Sequence, residues 1–129
     1  MPVFLGLGCV TLSCLNLALS KAFYECLGLK FQAERHGNGP EHYAATLPSG
    51  LTLELYPSGS LHTSGVRFTL FVDVPELLAA KLTAAGYGRR PGSELTFFDP
   101  DANIVALHPR PEARPPSVGG PGCGSEPSG

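Results

Sequence analysis

Cysteine and histidine are the side chains of this sequence best suited to chemistry, since both bind metals and take part in proton or group transfer. Four cysteines are present, namely Cys9, Cys14, Cys26 and Cys123. They form no CxxC pair, and their spacing does not match a zinc site. Cys9 and Cys14 point to opposite faces of one predicted strand and cannot form a disulfide. We therefore expect reduced thiols in a cytoplasmic protein.

The four histidines form no catalytic motif that the sequence alone would reveal. His36, His42 and His62 lie in or beside glycine-rich or polar segments and are predicted to be solvated. His108 shares a predicted strand face with Ala106, which makes it the one candidate general base among them; a surface position at a strand end is the alternative interpretation. No arrangement of Ser or Cys with His and an acid indicates a nucleophilic triad.

Composition limits the classes of function. The chain has 129 residues, enough for one domain with its own core, and its 43% hydrophobic and 16% charged residues are typical of a globular protein. A net charge of −2 gives no basic stripe for nucleic acid. The uncharged N-terminal segment lacks a basic start and a cleavage site, so it indicates a buried first strand rather than a signal peptide or a membrane span. The expected partners are a small molecule and a second copy of the chain.

The elements that must position any site form a repeat. Residues 8 to 15 have the pattern of a strand and residues 17 to about 27 that of a helix, and the same pattern returns as a strand over 66 to 73 and a helix from near Pro75. Short runs separated by turn signals follow each helix. The sequence therefore predicts an α+β fold of two βαβββ modules, forming a curved, cup-shaped mixed sheet with one helix per module.

The module boundaries follow from this repeat. The folded domain is predicted to span residues 1–109, with modules over about 8–57 and 66–109. Residues 110–129 are rich in Pro, Gly and Ser and are predicted to form a disordered tail, since they cannot bury enough surface to offset their ordering entropy.

Each helix is predicted to pack one apolar stripe on its sheet. Gly28 and Gly86 are predicted to end the two helices, because glycine adopts the left-handed conformation that follows a helix. The stripe of the first helix is predicted to contain Leu19, Ala22, Phe23, Cys26 and Leu27, and that of the second Leu78, Leu82 and Ala85.

Four segments, LALSKAFYECLGLKF, LTLELYP, FVDVPELLAAKLTAAGY and FFDPDANIVALHP, occur in order over residues 8 to 109. Together they resemble the vicinal oxygen chelate superfamily, which includes glyoxalase I, bleomycin-resistance proteins and extradiol dioxygenases. The resemblance implies paired βαβββ modules that close into a cup, usually within a homodimer. In enzyme members it also implies a divalent metal ion held in the cup by His, Gln or Glu.

The resemblance puts the four ligand positions of the family on Cys9, Glu54, Arg67 and Ala106. Strand parity supports Arg67, because the apolar Phe68, Leu70 and Val72 then face the helix. Only Glu54 is a usual ligand; alanine binds no metal, and a guanidinium repels a divalent cation. We therefore expect a metal-free cup without a cofactor.

Arg67 and Glu54 are predicted to face the cup and to form an ion pair, which is either structural or available to an anionic ligand. Thr11, Ser13, Thr52 and Tyr56 share the parity of Cys9 and Glu54, and Phe71 and Phe98 are candidates for an apolar wall. The predicted ligand-binding residues are therefore Glu54, Arg67, Cys9, Thr11, Ser13, Thr52, Tyr56 and Phe71.

One turn residue departs from the family pattern. Ala102 stands in DPDAN where the family usually has glycine. If its φ is positive, alanine there costs on the order of 1 kcal/mol; the alternative is that the turn adopts another type.

Three hypotheses for function follow. The first is a glyoxalase/bleomycin-resistance-like protein that binds a small, anionic aromatic or amphipathic molecule in a metal-free cup. The second is a metal-dependent enzyme, a glyoxalase-like lyase or isomerase or a dioxygenase, which would use Glu54 and Cys9 as ligands of a divalent ion. The third is a catalytically silent scaffold with a functional dimer surface. The residues at the ligand positions favour the first.

Overall fold

The computed structural model describes residues 3–59 and 61–111, and its elements follow the predicted order. The first module contains β1 (Cys9–Cys14), α1 (Leu17–Cys26), β2 (Gln32–Glu34), β3 (His42–Thr46) and β4 (Thr52–Pro57). The second module contains β5 (Arg67–Val72), α2 (Pro75–Ala84), β6 (Thr96–Phe98) and β7 (Ile104–Pro109). The predicted α+β class with one helix per module is confirmed. The tail and Cys123 lie outside the described residues, apart from residues 110 and 111.

Each module forms a mixed sheet of its own. The first sheet has the strand order β1-β4-β3-β2, with β1 parallel to β4, and the second has the order β5-β7-β6, with β5 parallel to β7. In the second module the strand expected directly after α2 is reduced to one bridge between Arg89 and Phe97. Pro91 and Gly92 follow this bridge and shorten the strand, since proline lacks the N–H that a ladder needs. The doubled βαβββ architecture is confirmed, with a shorter second copy.

Helix α1 is well capped at both ends. The Asn16 side chain accepts a hydrogen bond from the Leu19 amide at 3.1 Å, and Gly28 ends the helix with a φ of 103°. The predicted burial of Phe23 and Leu27 is confirmed. The rest of the buried side differs from the predicted stripe, because Leu19 and Ala22 are exposed whereas Ser20 and Tyr24 are buried. Ser20 and Tyr24 are turned inward by polar partners in the second module, which an apolar periodicity does not reveal.

Helix α2 begins with Pro75 in its first turn, as predicted, and Gly86 follows its end with a φ of 92°. Pro75, Ala79 and Leu82 are its buried residues. The predicted burial of Ala85 is wrong: it lies beyond the helix and is exposed.

The two modules share one hydrophobic core. Leu12 and Leu55 from the first sheet belong to the same buried cluster as Phe97 and Val105 from the second. Phe23 joins the halves through an edge-to-face contact with Tyr87, with ring centroids 4.9 Å apart. The predicted parity of β5 is confirmed, because its apolar residues Phe68, Leu70 and Val72 pack against this core. The opposite, outer face of each sheet is therefore turned away from the core.

The DPDAN turn between β6 and β7 connects the modules by buried hydrogen bonds. One carboxylate oxygen of Asp99 accepts from the amides of Asp101 and Asn103 at 2.8 and 2.9 Å. The other oxygen accepts from the Tyr24 hydroxyl at 2.7 Å and the Asn103 side-chain amide at 2.9 Å. Burial, and then the Asp99 carboxylate, raise the pKa of Tyr24 well above its usual range. Ala102 has a φ of 65°, so the turn has the conformation that glycine favours.

The N-terminal segment before β1 is exposed. Val3, Phe4, Leu5 and Leu7 are between 65% and 94% exposed, so burial of this region is confined to β1 itself, at Leu12 and Cys14. Neither of the helices in the described part of the chain is long and apolar enough to span a membrane.

Candidate functional site

The outer face of the first sheet collects polar side chains from four strands. Register pairs Thr11 of β1 and Ala44 of β3 with Glu54 of β4, and it pairs Ser13 with Tyr56. Alternate residues such as Leu53 and Leu55 are buried on the core side. The structure thus brings together the predicted residues Cys9, Thr11, Ser13, Thr52, Glu54 and Tyr56 on what we call the module-one outer face.

Glu54 is oriented by two neighbours on β1. Its Oε1 accepts a hydrogen bond from the Thr11 hydroxyl at 2.8 Å and one from the Cys9 thiol at 3.2 Å. The Thr11 hydrogen bond is the main reason that the pKa of Glu54 is lowered, with Cys9 adding to it against an opposing effect of desolvation. Desolvation, and then the contact with Glu54, raise the pKa of Cys9, so Cys9 acts as a neutral thiol donor.

His42 lies in the middle of this face, and the prediction that it is solvated is wrong. Its ring is stacked on Tyr56 with centroids 4.0 Å apart and is 0% exposed. Its Nδ1 lies 3.2 Å from the carbonyl oxygen of Pro40. Its Nε2 has no hydrogen-bond partner, although Glu34 Oε1 is 3.4 Å away and Glu54 Oε2 is 3.8 Å away.

Glu34, His36, His42 and Glu54 form one cluster, which we call the Glu–His cluster. Their donor atoms all lie within 4.8 Å of one another, and it is the one such group of His, Cys, Asp or Glu in residues 3–59 and 61–111. His36 is exposed, as predicted, and its Nε2 is 3.7 Å from Glu34 Oε1.

The predicted site residues did not include Glu34, His36 or His42, although the sequence contains a signal for their convergence. Glu34 and His36 are two residues apart and therefore project from the same face of an extended segment. Glu34 pairs with His42 across the β2–β3 hairpin. The loop between them turns back tightly, with a φ of 56° at Gly37 and a hydrogen bond from the Gly39 amide to the His36 carbonyl at 2.9 Å. A Glu-x-His pattern facing a His across a glycine hairpin would have indicated the cluster.

The outer face of the second sheet carries the remaining predicted residues. Arg67, Thr69 and Phe71 alternate along β5, with Phe71 63% exposed. Within residues 3–59 and 61–111, Arg67 makes no ion pair, so the predicted pair with Glu54 is not formed within one chain. The shared core explains this result, because both outer faces turn away from it. His108 pairs with Phe71 and is exposed at the end of β7.

The four ligand positions of the family do not suit a metal ion here. Cys9 is a neutral thiol bonded to Glu54, and Arg67 contributes a cation. Ala106 offers only a methyl group, 4% exposed and paired in register with Thr69 and Thr96. Glu54 is the one suitable ligand of the four, which is too few for the tetrahedral or octahedral sites of divalent ions.

Comparisons with known proteins bear on the fold. Neither the family models nor the curated proteins contain a match to this sequence. Among solved structures, the YycE protein of unknown function from Bacillus subtilis superposes with a TM-score of 0.68 at 20% identity, covering 83% of this chain and 91% of that one. TnmS3, an antibiotic binding protein from Streptomyces sp. CB03234, superposes with a TM-score of 0.66 at 19% identity, covering 84% of this chain and 98% of that one. Oxidase ChaP-H2 superposes with a TM-score of 0.63 at 19% identity, covering 84% of this chain and 96% of that one. The resemblance of the four sequence segments is confirmed at the level of structure: the chain has the fold of the vicinal oxygen chelate superfamily.

Proposed function

We propose that this protein binds a small anionic molecule with an aromatic or amphipathic body, without a metal ion coordinated by the four family positions as a set. The observation that carries the proposal is the state of Arg67. Its guanidinium is exposed and forms no ion pair within the described ranges, and Phe71, on the same strand face, exposes its ring. A free guanidinium binds a carboxylate, sulfonate or phosphate by paired hydrogen bonds, and a phenyl ring farther along the same strand face accommodates an apolar body.

The module-one outer face supplies the complementary half of such a site. Hydroxyl groups of Thr11, Ser13, Thr52 and Tyr56 give it several hydrogen-bonding positions. A groove of about 290 Å³ runs along its edge, lined by Lys30, Gln32, Glu34, Ala44, Thr46 and Thr52. Since the two outer faces of one chain turn away from the shared core, we propose that a homodimer combines the module-one face of one copy with Arg67 and Phe71 of the other.

Two alternatives rank below ligand binding. A metal-dependent lyase, isomerase or dioxygenase would need more ligands than Glu54 at the family positions. In favour of an enzyme, oxidase ChaP-H2 has a similar fold, so this fold is compatible with redox chemistry. A silent scaffold would be expected to fill its faces with side chains, whereas this one retains an open groove. The antibiotic binding protein TnmS3 shares the fold at 19% identity, which supports a binding role without identifying the ligand.

Titration with the anionic aromatic fluorophore 8-anilinonaphthalene-1-sulfonate tests the proposal. The native protein should bind it saturably, and Arg67→Ala should weaken the affinity by about tenfold or more, because a charge-assisted hydrogen bond is lost. Arg89→Ala is the matched control, since Arg89 is an exposed arginine in the segment after α2, and it should bind like the native protein.

Equal affinity of the Arg67→Ala variant and the native protein would reject the role of Arg67. Near-ultraviolet circular dichroism of each variant distinguishes binding to the folded site from binding to a loosened core. Native mass spectrometry of the same samples reports the subunit number. A monomer at the concentration of the titration would reject the homodimer.

A further inference from the structure

We propose that the Glu–His cluster is a binding site for one divalent transition-metal ion of the Zn²⁺ type, with Glu34, His36, His42 and Glu54 as its ligands. This site uses β2, the β2–β3 loop, β3 and β4, and of the four family positions it includes only Glu54. It does not rest on the proposed binding of an anionic molecule by Arg67, which lies on the other sheet.

The state of His42 is the first argument. Its side chain is fully buried, and Nε2 is the one buried side-chain polar atom without a hydrogen-bond partner in the described part of the chain. Because Nδ1 faces the Pro40 carbonyl at 3.2 Å, it carries a hydrogen, and Nε2 is therefore the ring nitrogen available to bind an ion through its lone pair. Metal-bound histidines commonly donate their other N–H to a backbone carbonyl in this way.

The neighbours of that lone pair are acceptors rather than donors. Glu34 Oε1 and Glu54 Oε2 stand 3.4 and 3.8 Å from Nε2. In the neutral form of His42 the two carboxylates repel the lone pair of Nε2, and this buried nitrogen also lacks a hydrogen-bond partner; both effects cost free energy. A metal ion bound to all three groups would remove both costs.

The separations suit a small tetrahedral site. Four ligands at zinc-ligand distances of about 2.0–2.2 Å stand about 3.3–3.6 Å from one another in a tetrahedron. Three of the donor-atom separations in the structure are 3.4, 3.7 and 3.8 Å, and none is above 4.8 Å, so only small side-chain movements are needed to reach this geometry. His36 is exposed and Glu34 is partly exposed, so these two ligands can close over an entering ion.

Surrounding groups hold the cluster in place. Thr11 and Cys9 both donate to Oε1 of Glu54, which leaves Oε2 directed toward His42. Tyr56 stacks on the His42 ring and fixes its plane. Such outer contacts are typical of built metal sites, where they orient the ligands.

The donor set selects the class of ion. Two imidazole nitrogens and two carboxylate oxygens suit Zn²⁺, Co²⁺ or Ni²⁺. Ca²⁺ and Mg²⁺ prefer six or more oxygen ligands and should bind weakly.

Calorimetric titration of the chelator-treated full-length chain with Zn²⁺ tests the site. We expect one ion per chain, and His36→Ala should weaken the affinity by at least the roughly 10–100-fold that loss of an outer-shell partner costs, since it removes a ligand itself. His36 is an exposed loop residue, so its replacement should leave the fold intact. His62→Ala removes another exposed histidine and is the matched control, for which we expect no change.

The visible absorption of the Co²⁺ complex tests the nearest competing ligand, the thiol of Cys9, which lies 3.2 Å from Glu54 Oε1. We expect tetrahedral absorption without a thiolate charge-transfer band. A thiolate band would overturn the proposal, as would equal affinities of the two histidine variants. Absence of saturable Zn²⁺ binding, or displacement of Zn²⁺ by equimolar Mg²⁺, would overturn it as well. None of these outcomes depends on Arg67, so the binding of the anionic fluorophore can fail or succeed separately.

Discussion

The turn around Asp99 and the Glu–His cluster both gather acidic side chains next to an aromatic ring, and they differ in their supply of hydrogen-bond donors. At the turn, four donors point at the two oxygens of Asp99, so every buried group has a partner. In the cluster, Nε2 of His42 faces two carboxylates, and no group in the described residues forms a hydrogen bond with it.

This difference separates a structural network from a candidate binding site. Buried polar groups of folded proteins are almost always satisfied, so a satisfied network is complete without any further molecule. An excess of acceptors around a buried nitrogen is instead resolved by a cation or by a proton. The two regions of similar composition therefore have opposite expected responses to the same isosteric change from carboxylate to amide.

The largest expected effect is at the turn. Asp99→Asn should lower the free energy of unfolding by about 3 kcal/mol, because the amide nitrogen would face two donors that lose their acceptor. Urea denaturation measures the change. Asp73→Asn makes the same substitution on a carboxylate that is 91% exposed and should have almost no effect. If the two variants were equally stable, the network would not be structural.

The same isosteric change in the cluster should act in the opposite direction. Glu34→Gln places an amide N–H near the lone pair of His42, whose Nε2 lies 3.4 Å from Glu34 Oε1. In the presence of a chelator, the free energy of unfolding should rise by about 1 kcal/mol, the contribution of one hydrogen bond. Glu41→Gln, at an exposed position of the same loop, is the control. A less stable Glu34→Gln variant would show that Nε2 carries a proton bonded to Glu34.

The smallest expected effect concerns the backbone of the turn. Ala102→Gly should raise the free energy of unfolding by about 0.5–1 kcal/mol, because glycine removes the strain of alanine at a φ of 65°. Ala22→Gly on the exposed side of α1 should instead lower it by about 1 kcal/mol. Thermal unfolding measures both. A lower melting temperature for Ala102→Gly would contradict the account of the turn.

Much of the fold was predictable because the signals are local. The repeated order of strand, helix and glycine indicated both modules. The polar Arg67 and Thr69, which alternate with Phe68 and Leu70, indicated the correct faces of β5. Helix register was less predictable. Ser20 and Tyr24 of α1 are buried because their hydroxyl groups donate hydrogen bonds to carboxylates of the distant DPDAN turn. Leu19 is exposed in consequence.

The candidate site was predictable only in part. Parity put Cys9, Thr11 and Glu54 on one face, which the structure confirms, since these residues share adjacent strands. The pairing of Arg67 with Glu54 was wrong within one chain, because it depends on how two separate sheets share a core.

The two modules, the strand faces and the turn at Ala102 follow from the amino-acid order alone, since each depends on periodicity or on the backbone preferences of neighbouring residues. The burial of His42, with its Nε2 between Glu34 and Glu54, and the separation of Arg67 from Glu54 emerge only when the chain is packed. Those relations join residues across a hairpin or between two sheets, and their geometry is set by packing and hydrogen bonding rather than by local pattern.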